Sequence, residues 1–256
     1  MKKILVMFCG ILLTGFVSAD VIYSNSFDDV AGTLATDSVP EINTIVSYMD
    51  AGSAGVKTDG AGRLEATAKT AAENYRFRLN PTALNLDSGL SGIKATAVLR
   101  APSTTDWIGL SFGGGNANGV LHADANATWI QIGSSYVMIR GGEGTSGSSI
   151  QSNATHTSGA LITLEYTYNW DKTVDVAING SSVVSGLAVS YTNATSGLAE
   201  DPTIIWAMIT MRNQDTIANG GAYIDSLTIE TIPEPTTLGL FVVSSLGVVM
   251  LRRMTR

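Results

Sequence analysis

The amino-acid sequence predicts an all-β protein whose body is one antiparallel sandwich, and three observations lead there. Tyr75, Phe77 and Leu79 alternate with Asn74, Arg76 and Arg78, the period-two pattern of a strand with one face in a core. Clusters of Gly, Asn, Asp, Ser and Thr interrupt such runs at short intervals, with hardly a helical window between them. No Pro-rich or charged linker divides residues 20–231, a length ample for a single sandwich.

The strands follow in order. Residues 21–24 open the series, and 63–68, 74–79, 93–100, 107–112, 128–132 and 136–140 continue it, all but 63–68 rich in β-branched or aromatic residues. In 161–168, Ile162, Leu164, Tyr166 and Tyr168 alternate with Leu161, Thr163, Glu165 and Thr167, giving one row to the core and one to solvent. A polar turn at 169–172 leads into 173–178. Asn179-Gly180 then reverses the chain again, because the type I′ turn needs positive φ at both central residues. Residues 203–209 and 223–229 close the series. Ile224 and Leu227 fall out of phase, which predicts a bulge at Asp225–Ser226.

The two ends read differently. Met1-Lys2-Lys3, an apolar run from Ile4 to Leu13 and the small-residue ending Ser18-Ala19 have the three regions of a secretory signal peptide, residues 1–19, with cleavage between Ala19 and Asp20. The alternative is an N-terminal anchor, for which the run is short. Cys9 is the only cysteine of the chain and leaves with this segment, so the mature chain has no thiol chemistry and no disulfide. Residues 232–256 form the other end: Ile232, then Pro233-Glu234-Pro235, an uncharged stretch at about 236–251, and Arg252-Arg253 near the terminus. A helix over that stretch would be about 24 Å long, short for the roughly 30 Å hydrocarbon core but workable as a transmembrane segment with snorkelling arginines. The positive-inside rule keeps the arginines cytoplasmic and puts the prolines at the outer face. Two prolines without backbone donors predict that this tripeptide joins neither sheet nor helix and stands extended and accessible.

Pro-Glu-Pro, the apolar segment and the arginine cluster, in that order at the C-terminus, resemble the PEP-CTERM protein-sorting signal. The resemblance covers about the last 25 residues and implies Sec export, temporary anchoring and recognition of Pro233, Glu234 and Pro235 by an exosortase, a membrane processing enzyme of Gram-negative bacteria that make exopolysaccharide. Ile232 stands where valine is commoner, and Met254-Thr255-Arg256 extend beyond the arginine pair. The expected location is the outer face of the membrane, then the cell envelope or extracellular matrix. A plain single-pass anchor without processing is the alternative.

Charge narrows the partners. The chain has 15 basic and 22 acidic side chains. Lys2, Lys3, Arg252, Arg253, Arg256 and Glu234 belong to the ends, so residues 20–232 keep ten basic against 21 acidic groups. Such a body disfavours nucleic acid and repels anionic polymers at low salt, while neutral glycans remain acceptable.

The hairpin at 161–178 with its Asn179-Gly180 turn, together with 75–79 and 107–112, resembles the concanavalin A-like lectin/glucanase and laminin-G sandwiches. The resemblance implies a jelly-roll topology and little about activity, because the same sandwich serves lectins, glycosidases, lyases and inert spacers. The glucanase string Glu-x-Asp-x-x-Glu is absent. In the nearest acidic strand, Glu165 and Asp171 share a face but have Asn169 between them. Carboxylates about 5 Å apart would have to meet from different strands.

Other motifs lack their context. Gly109-Leu110-Ser111-Phe112-Gly113 matches a nucleophile elbow, but glycines follow it instead of a helix. Gly142-Glu143-Gly144-Thr145-Ser146-Gly147 matches a dinucleotide fingerprint without the helix that would hold a pyrophosphate. His122 and His156 lie in polar surroundings without ligand spacing, as solvated loop residues. Flat aromatics near turns stack on sugar rings, so Trp170, Trp129 and Trp107 are the glycan-binding candidates, Trp170 the most exposed of them; a rim-packing role is the alternative for each. Trp206, inside an apolar run, reads as core. Asp28 or Asp29, after the first strand, could meet Asp225 on the last and hold a structural calcium, although their spacing resembles no EF-hand. No other cofactor is expected. The reading is an exported surface or matrix protein, non-catalytic, that binds extracellular polysaccharide or serves as a structural component. A glycan-degrading hydrolase or lyase on the same sandwich is the alternative.

Overall fold

A computed structural model describes residues 19–33, 40–43, 47–50, 56–66, 73–78, 90–103, 105–114, 127–141, 149–153, 156–171, 173–188, 205–212 and 217–233. Two antiparallel sheets form the body. The first contains β1 (Val21–Asn25), β2 (Ile42–Asn43), β4 (Val56–Thr58), β5 (Leu64–Ala66), β7 (Leu90–Arg100), β12 (Leu161–Asn169), β13 (Thr173–Ile178), β14 (Ser181–Ala188) and β16 (Tyr223–Pro233). Its order is β14-β13-β12-β7-β16-β1-β2, and the β4–β5 hairpin joins it where Leu64 pairs with Ile224. The second contains β3 (Ser47–Asp50), β6 (Glu73–Arg78), β8 (Trp107–Gly114), β9 (Ala127–Gly133), β10 (Tyr136–Gly141), β11 (Ser149–Asn153) and β15 (Ile205–Arg212), in the order β11-β10-β9-β8-β15-β6-β3.

The core lies between the sheets because alternate residues of each strand are apolar. Ile93, Ala95, Ala97 and Leu99 of β7, Ile162, Leu164, Tyr166 and Tyr168 of β12, and Val174, Val176 and Ile178 of β13 are buried from the first sheet. Ile108, Leu110 and Phe112 of β8, Ile130 and Ile132 of β9, and Val137 and Ile139 of β10 are buried from the second. Each Val, Leu or Ile side chain so placed contributes roughly 1.5–3 kcal/mol. Tyr166 joins the two layers. Its ring stacks on Phe112 with centroids 5.5 Å apart, and its hydroxyl donates to Thr128 Oγ1. Full burial pushes that phenol well above its ordinary range.

Local predictions meet the structure residue by residue. Asn179 and Gly180 both have positive φ, 52° and 74°, as the type I′ turn requires. The register of β16 on β7 shifts between Ile224 and Ser226, so the bulge falls at Asp225. One expectation is corrected at the other end of β16. Ile232 pairs with Gly92 and Pro233 with Leu90, and Ser91 Oγ donates to the Pro233 carbonyl at 3.2 Å. Pro233 therefore does join the sheet, and the boundary at 231/232 falls inside a strand. Proline lacks only a donor; at the last pair its carbonyl suffices.

Residues 1–18 and 234–256 lie outside the described residues, and with them the cleavage-site residues before Ala19, Glu234, Pro235, Arg252, Arg253 and the segment 236–251. Among the described residues no helix is long and apolar enough to cross a membrane.

Candidate functional site

Strand alternation gives the second sheet an outer row that faces away from the core, and its composition sets that face apart. Registers align Trp107, Gly109 and Ser111 of β8 with Gly133, Gln131 and Trp129 of β9, and Trp107 and Gly109 with Arg212 and Thr210 of β15. A small depression of about 10 Å³, room for one water, lies there, lined by Trp107, Gly109, Leu110, Ser111, Trp129, Ile130 and Thr210. Its floor is low because Gly109 carries no side chain: an ideal Cβ there would lie 3.7 Å from Trp107 Cζ3 and 3.0 Å from the Ile130 carbonyl. Two of the three sequence candidates are thus brought together, Trp107 half-buried and Trp129 only 7% exposed. Strand positions 107 and 129 are about 14 Å apart along the sheet, and both indoles border the same slot.

Trp170 is not part of it. It follows β12 on the other sheet, half-buried at the end of the core-facing row, with its ring 5.7 Å from that of Tyr168 and its backbone N–H donating to the Ser91 carbonyl at 2.7 Å. The expected exposure is corrected: the turn folds this indole back as a cap on the core. Nothing in the sequence separates the two outcomes, since both put a tryptophan one residue beyond a strand.

Beside the tryptophan slot lies a polar group. Gln131 Nε2 donates to the Tyr136 hydroxyl, and the Tyr136 ring lies over Gly133, where a Cβ would come within 2.2 Å of it. Burial pushes this phenol above its ordinary value, while the Gln131 hydrogen bond and the Arg212 charge pull it down. His156 sits behind the same hairpin, with Nε2 2.8 Å from the Gly133 carbonyl and Nδ1 closed off from solvent. It is half-buried and anchored, which corrects its reading as a solvated loop residue. Ser111 is 5% exposed within a strand that runs on to Gly114, so no nucleophile elbow forms. His122 and the 142–147 glycine loop lie outside the described residues.

Carboxylates gather on the opposite sheet. Lys94 Nζ, in the outer row of β7, lies 2.6 Å from Glu230 Oε1 and 3.7 Å from Glu165 Oε2, and this pairing raises the lysine pKa against the opposing effect of burial. Both acids are held by a cation, an arrangement that ties β12, β7 and β16 together. The acids proposed for calcium lie after β1 and at the bulge of β16. Asp28 accepts from Ser26 Oγ at 2.8 Å and lies over Gly62, while Asp225 is the bulged residue of β16. Among the described residues no group of three or more His, Cys, Asp or Glu side chains is placed to hold a metal ion. The hydroxyl of Ser26 binds Asp28 and Glu41 instead, closing the loop after β1.

No family model matches the chain. A search of curated proteins also finds no match. Solved structures do resemble it. One, from work reporting that prominent members of the human gut microbiota express endo-acting O-glycanases to initiate mucin breakdown, superposes with a TM-score of 0.50 at 10% identity over 82% of this chain and 98% of that one. The carbohydrate recognition domain of Emp46p in its potassium-bound form gives 0.48 at 12% identity, covering 72% and 87%. Lectin UEA-II complexed with galactose gives 0.45 at 10% identity, covering 83% and 100%. The likeness is one of fold: the chain is an all-β, two-sheet sandwich similar to lectin and glucanase sandwiches.

Proposed function

We propose that the chain is an exported, non-catalytic surface or matrix protein that binds extracellular polysaccharide on the outer face of the second sheet. The slot bordered by Trp107 and Trp129 over the Gly109–Ser111 floor carries this reading. The half-buried indole of Trp107 offers the C–H faces of sugar rings an apolar surface, backed by the buried Trp129, and the part-exposed Gln131 offers a polar contact. The signal-like N-terminus and the PEP-CTERM-like C-terminus supply the address, with an exosortase-type enzyme as processing partner and a membrane stage in between. Pro233 is the last described residue of β16, so a cut at or beyond Glu234 would leave every described strand pair intact, in keeping with this reading.

Incubating the full-length chain in mild detergent with a panel of insoluble and soluble glycans, with and without calcium, reads retention and released sugar in one assay. Retention without release, weakened about tenfold by Trp107→Ala and unchanged by Trp170→Ala, is the expected result. Released reducing or unsaturated ends would overturn the non-catalytic reading in favour of a glycan-degrading enzyme.

A further inference from the structure

Two glycines interrupt the outer row of the second sheet where the backbone does not call for them. Gly109 lies in β8 and Gly133 ends β9; both are buried, and neither has positive φ. A glycine in a strand forfeits packing and costs backbone entropy, so ordinary backbone at both points to something lying close above them.

At Gly133 that object is the Tyr136 ring. The ring atom nearest to an ideal Cβ is Cε1, and its neighbours Cζ and Cδ1 follow at 2.5 and 2.8 Å. Three adjacent ring atoms at such similar distances mean that the glycine meets the ring by its face, since an edge would present one atom well ahead of the others. Tyr136 therefore reaches from β10 over β9 and lies down on the sheet, half-buried, with its other face turned outward. At Gly109 the arrangement repeats more loosely. Trp107 Cζ3 stands 3.7 Å from the Cβ position, so the indole runs along β8 toward the glycine. Register makes Trp107 the cross-strand partner of Gly133. The two aromatic side chains thus cover neighbouring strands, whose axes are about 5 Å apart. Rings laid over strand glycines shield the backbone, and side by side they also form a flat apolar surface.

Neighbouring groups hold this surface in place. Gln131 Nε2 donates to the Tyr136 hydroxyl, which keeps the ring from swinging off the sheet. His156 Nε2 donates to the Gly133 carbonyl at 2.8 Å and fixes the strand under the ring. Arg212, the direct partner of Trp107 on β15, is near enough for its charge to act on the Tyr136 phenol. A surface held in this way needs little ordering when a ligand arrives.

We propose that Trp107 and Tyr136 form a paired aromatic platform for an extended polysaccharide whose successive rings share one plane, with Gln131 and Arg212 binding hydroxyls at the edges of the sugars. This deepens the carbohydrate-binding reading and rests on it. A sugar ring with equatorial substituents has flat C–H faces for an aromatic ring to meet. Equatorial linkages keep consecutive faces in one plane, whereas axial ones turn the chain off the platform after a single sugar. The ligand class is therefore a 1,4-β-linked ribbon and not a coiled α-glucan.

Affinity electrophoresis of the full-length chain in mild detergent tests this, through gels containing hydroxyethylcellulose or glucomannan, which are ribbons, or dextran or pullulan, which are not. The expected result is retardation by the two ribbons alone. Tyr136→Leu, which still covers Gly133 but has no flat face, should weaken it about tenfold, and Tyr136→Phe, which keeps the ring, about twofold at most. Tyr223→Ala, which removes an aromatic from the first sheet, should leave it unchanged. Thermal melts of each variant show that it is folded. Free cellobiose should displace the native chain at about one-tenth the concentration of free glucose, a comparison that needs no variant, because one sugar covers only half the platform. Equal retardation by ribbons and coils, or equal displacement by the two sugars, would overturn the platform and leave polysaccharide binding standing. So would native-like binding by Tyr136→Leu, which would leave the ring as a mere cover for Gly133, or an equal loss in Tyr136→Phe, which would assign the effect to the hydroxyl. Retardation by none of the four polymers would also overturn it, and the wider glycan panel then decides whether any polysaccharide is bound.

Discussion

Asp175 shows how one side chain holds an edge strand. It sits in the solvent row of β13, and its Oδ1 accepts from the Gly186 N–H at 2.7 Å and from Ser185 Oγ at 3.0 Å, while Oδ2 accepts from Asn169 Nδ2 at 2.7 Å. Gly186 has a φ of 64°, and the β13–β14 register is irregular nearby, so the carboxylate secures a kinked stretch of an outer strand. Partial burial alone would raise its pKa, but the three hydrogen bonds outweigh that and lower it. A lowered folded-state pKa means a stabilising contribution fully present above the unfolded value of about 3.9 and lost as pH falls through the folded value. Asp175→Ala should therefore melt a few degrees lower than the native chain at neutral pH. The gap should close on acidification below about pH 4. A gap of the same size in strong acid would show that the charge contributes nothing. At the same scale, Phe27 departs from the pattern read in the sequence. Its φ is 56°, and it is fully buried, with its N–H bonded to Asn25 Oδ1 at 2.7 Å. Asn25, Ser26 and Asp28 serve this turn, where the sequence offered only acids for a cation.

Glycines separate two kinds of cost at the level of the strand and its turn. Gly180 has positive φ, and a Cβ there would meet nothing within 4 Å, whereas Gly92 has ordinary backbone and a Cβ would fall 2.3 Å from the Tyr168 carbonyl. Gly180→Ala should cost about 1 kcal/mol, a purely conformational penalty. Gly92→Ala should cost more, because β7 and β12 must move apart, and chemical denaturation of both variants checks the order. An equal or smaller loss at Gly92 would mean that the strands separate freely there. What was legible in the sequence follows the same logic of contact. The long inner strands β7, β12, β13 and β16 announced themselves because each has a full buried row. Strands β2, β3, β11 and β14, all at sheet edges, and β4, paired only with β5, were not foreseen. A strand such as Ser149–Asn153, or Ser181–Ala188 with no buried residue, lacks the apolar alternation on which such reading depends. The slot was half legible: Trp107 and Trp129 stood out as residues, but their adjacency is a matter of register between β8 and β9, which no local pattern encodes.

At the scale of the whole molecule, the first and last strands close the sandwich against each other. β1 pairs with β16, and beyond Val21 the Asp20 N–H donates to Thr231 Oγ1 while the Thr231 N–H donates to the Asp20 carbonyl, each at 3.0 Å. Thr231 is only 2% exposed, and Ile93, Gly92 and Leu90 of β7 pair with Thr231, Ile232 and Pro233 on its other side. The chain can thus lose its N-terminal segment up to Ala19 and everything after Pro233 without losing a described strand pair. A fragment of residues 20–233 should melt at the temperature of the full chain. One of residues 20–230 should melt several degrees lower, having lost a buried threonine, both bonds to Asp20 and the last pairs on β7. The comparison also bears on the proposed sorting, for Pro233, the first residue of Pro-Glu-Pro, is in the sheet, while Glu234 and Pro235 lie outside the described residues. Processing at or after Glu234 would release the folded sandwich whole, whereas a cut before Thr231 would open it between β1 and β16. Equal melting of the two fragments would show that the terminal clasp adds nothing, and with it would fall the physical reason for a processing site to lie beyond Pro233.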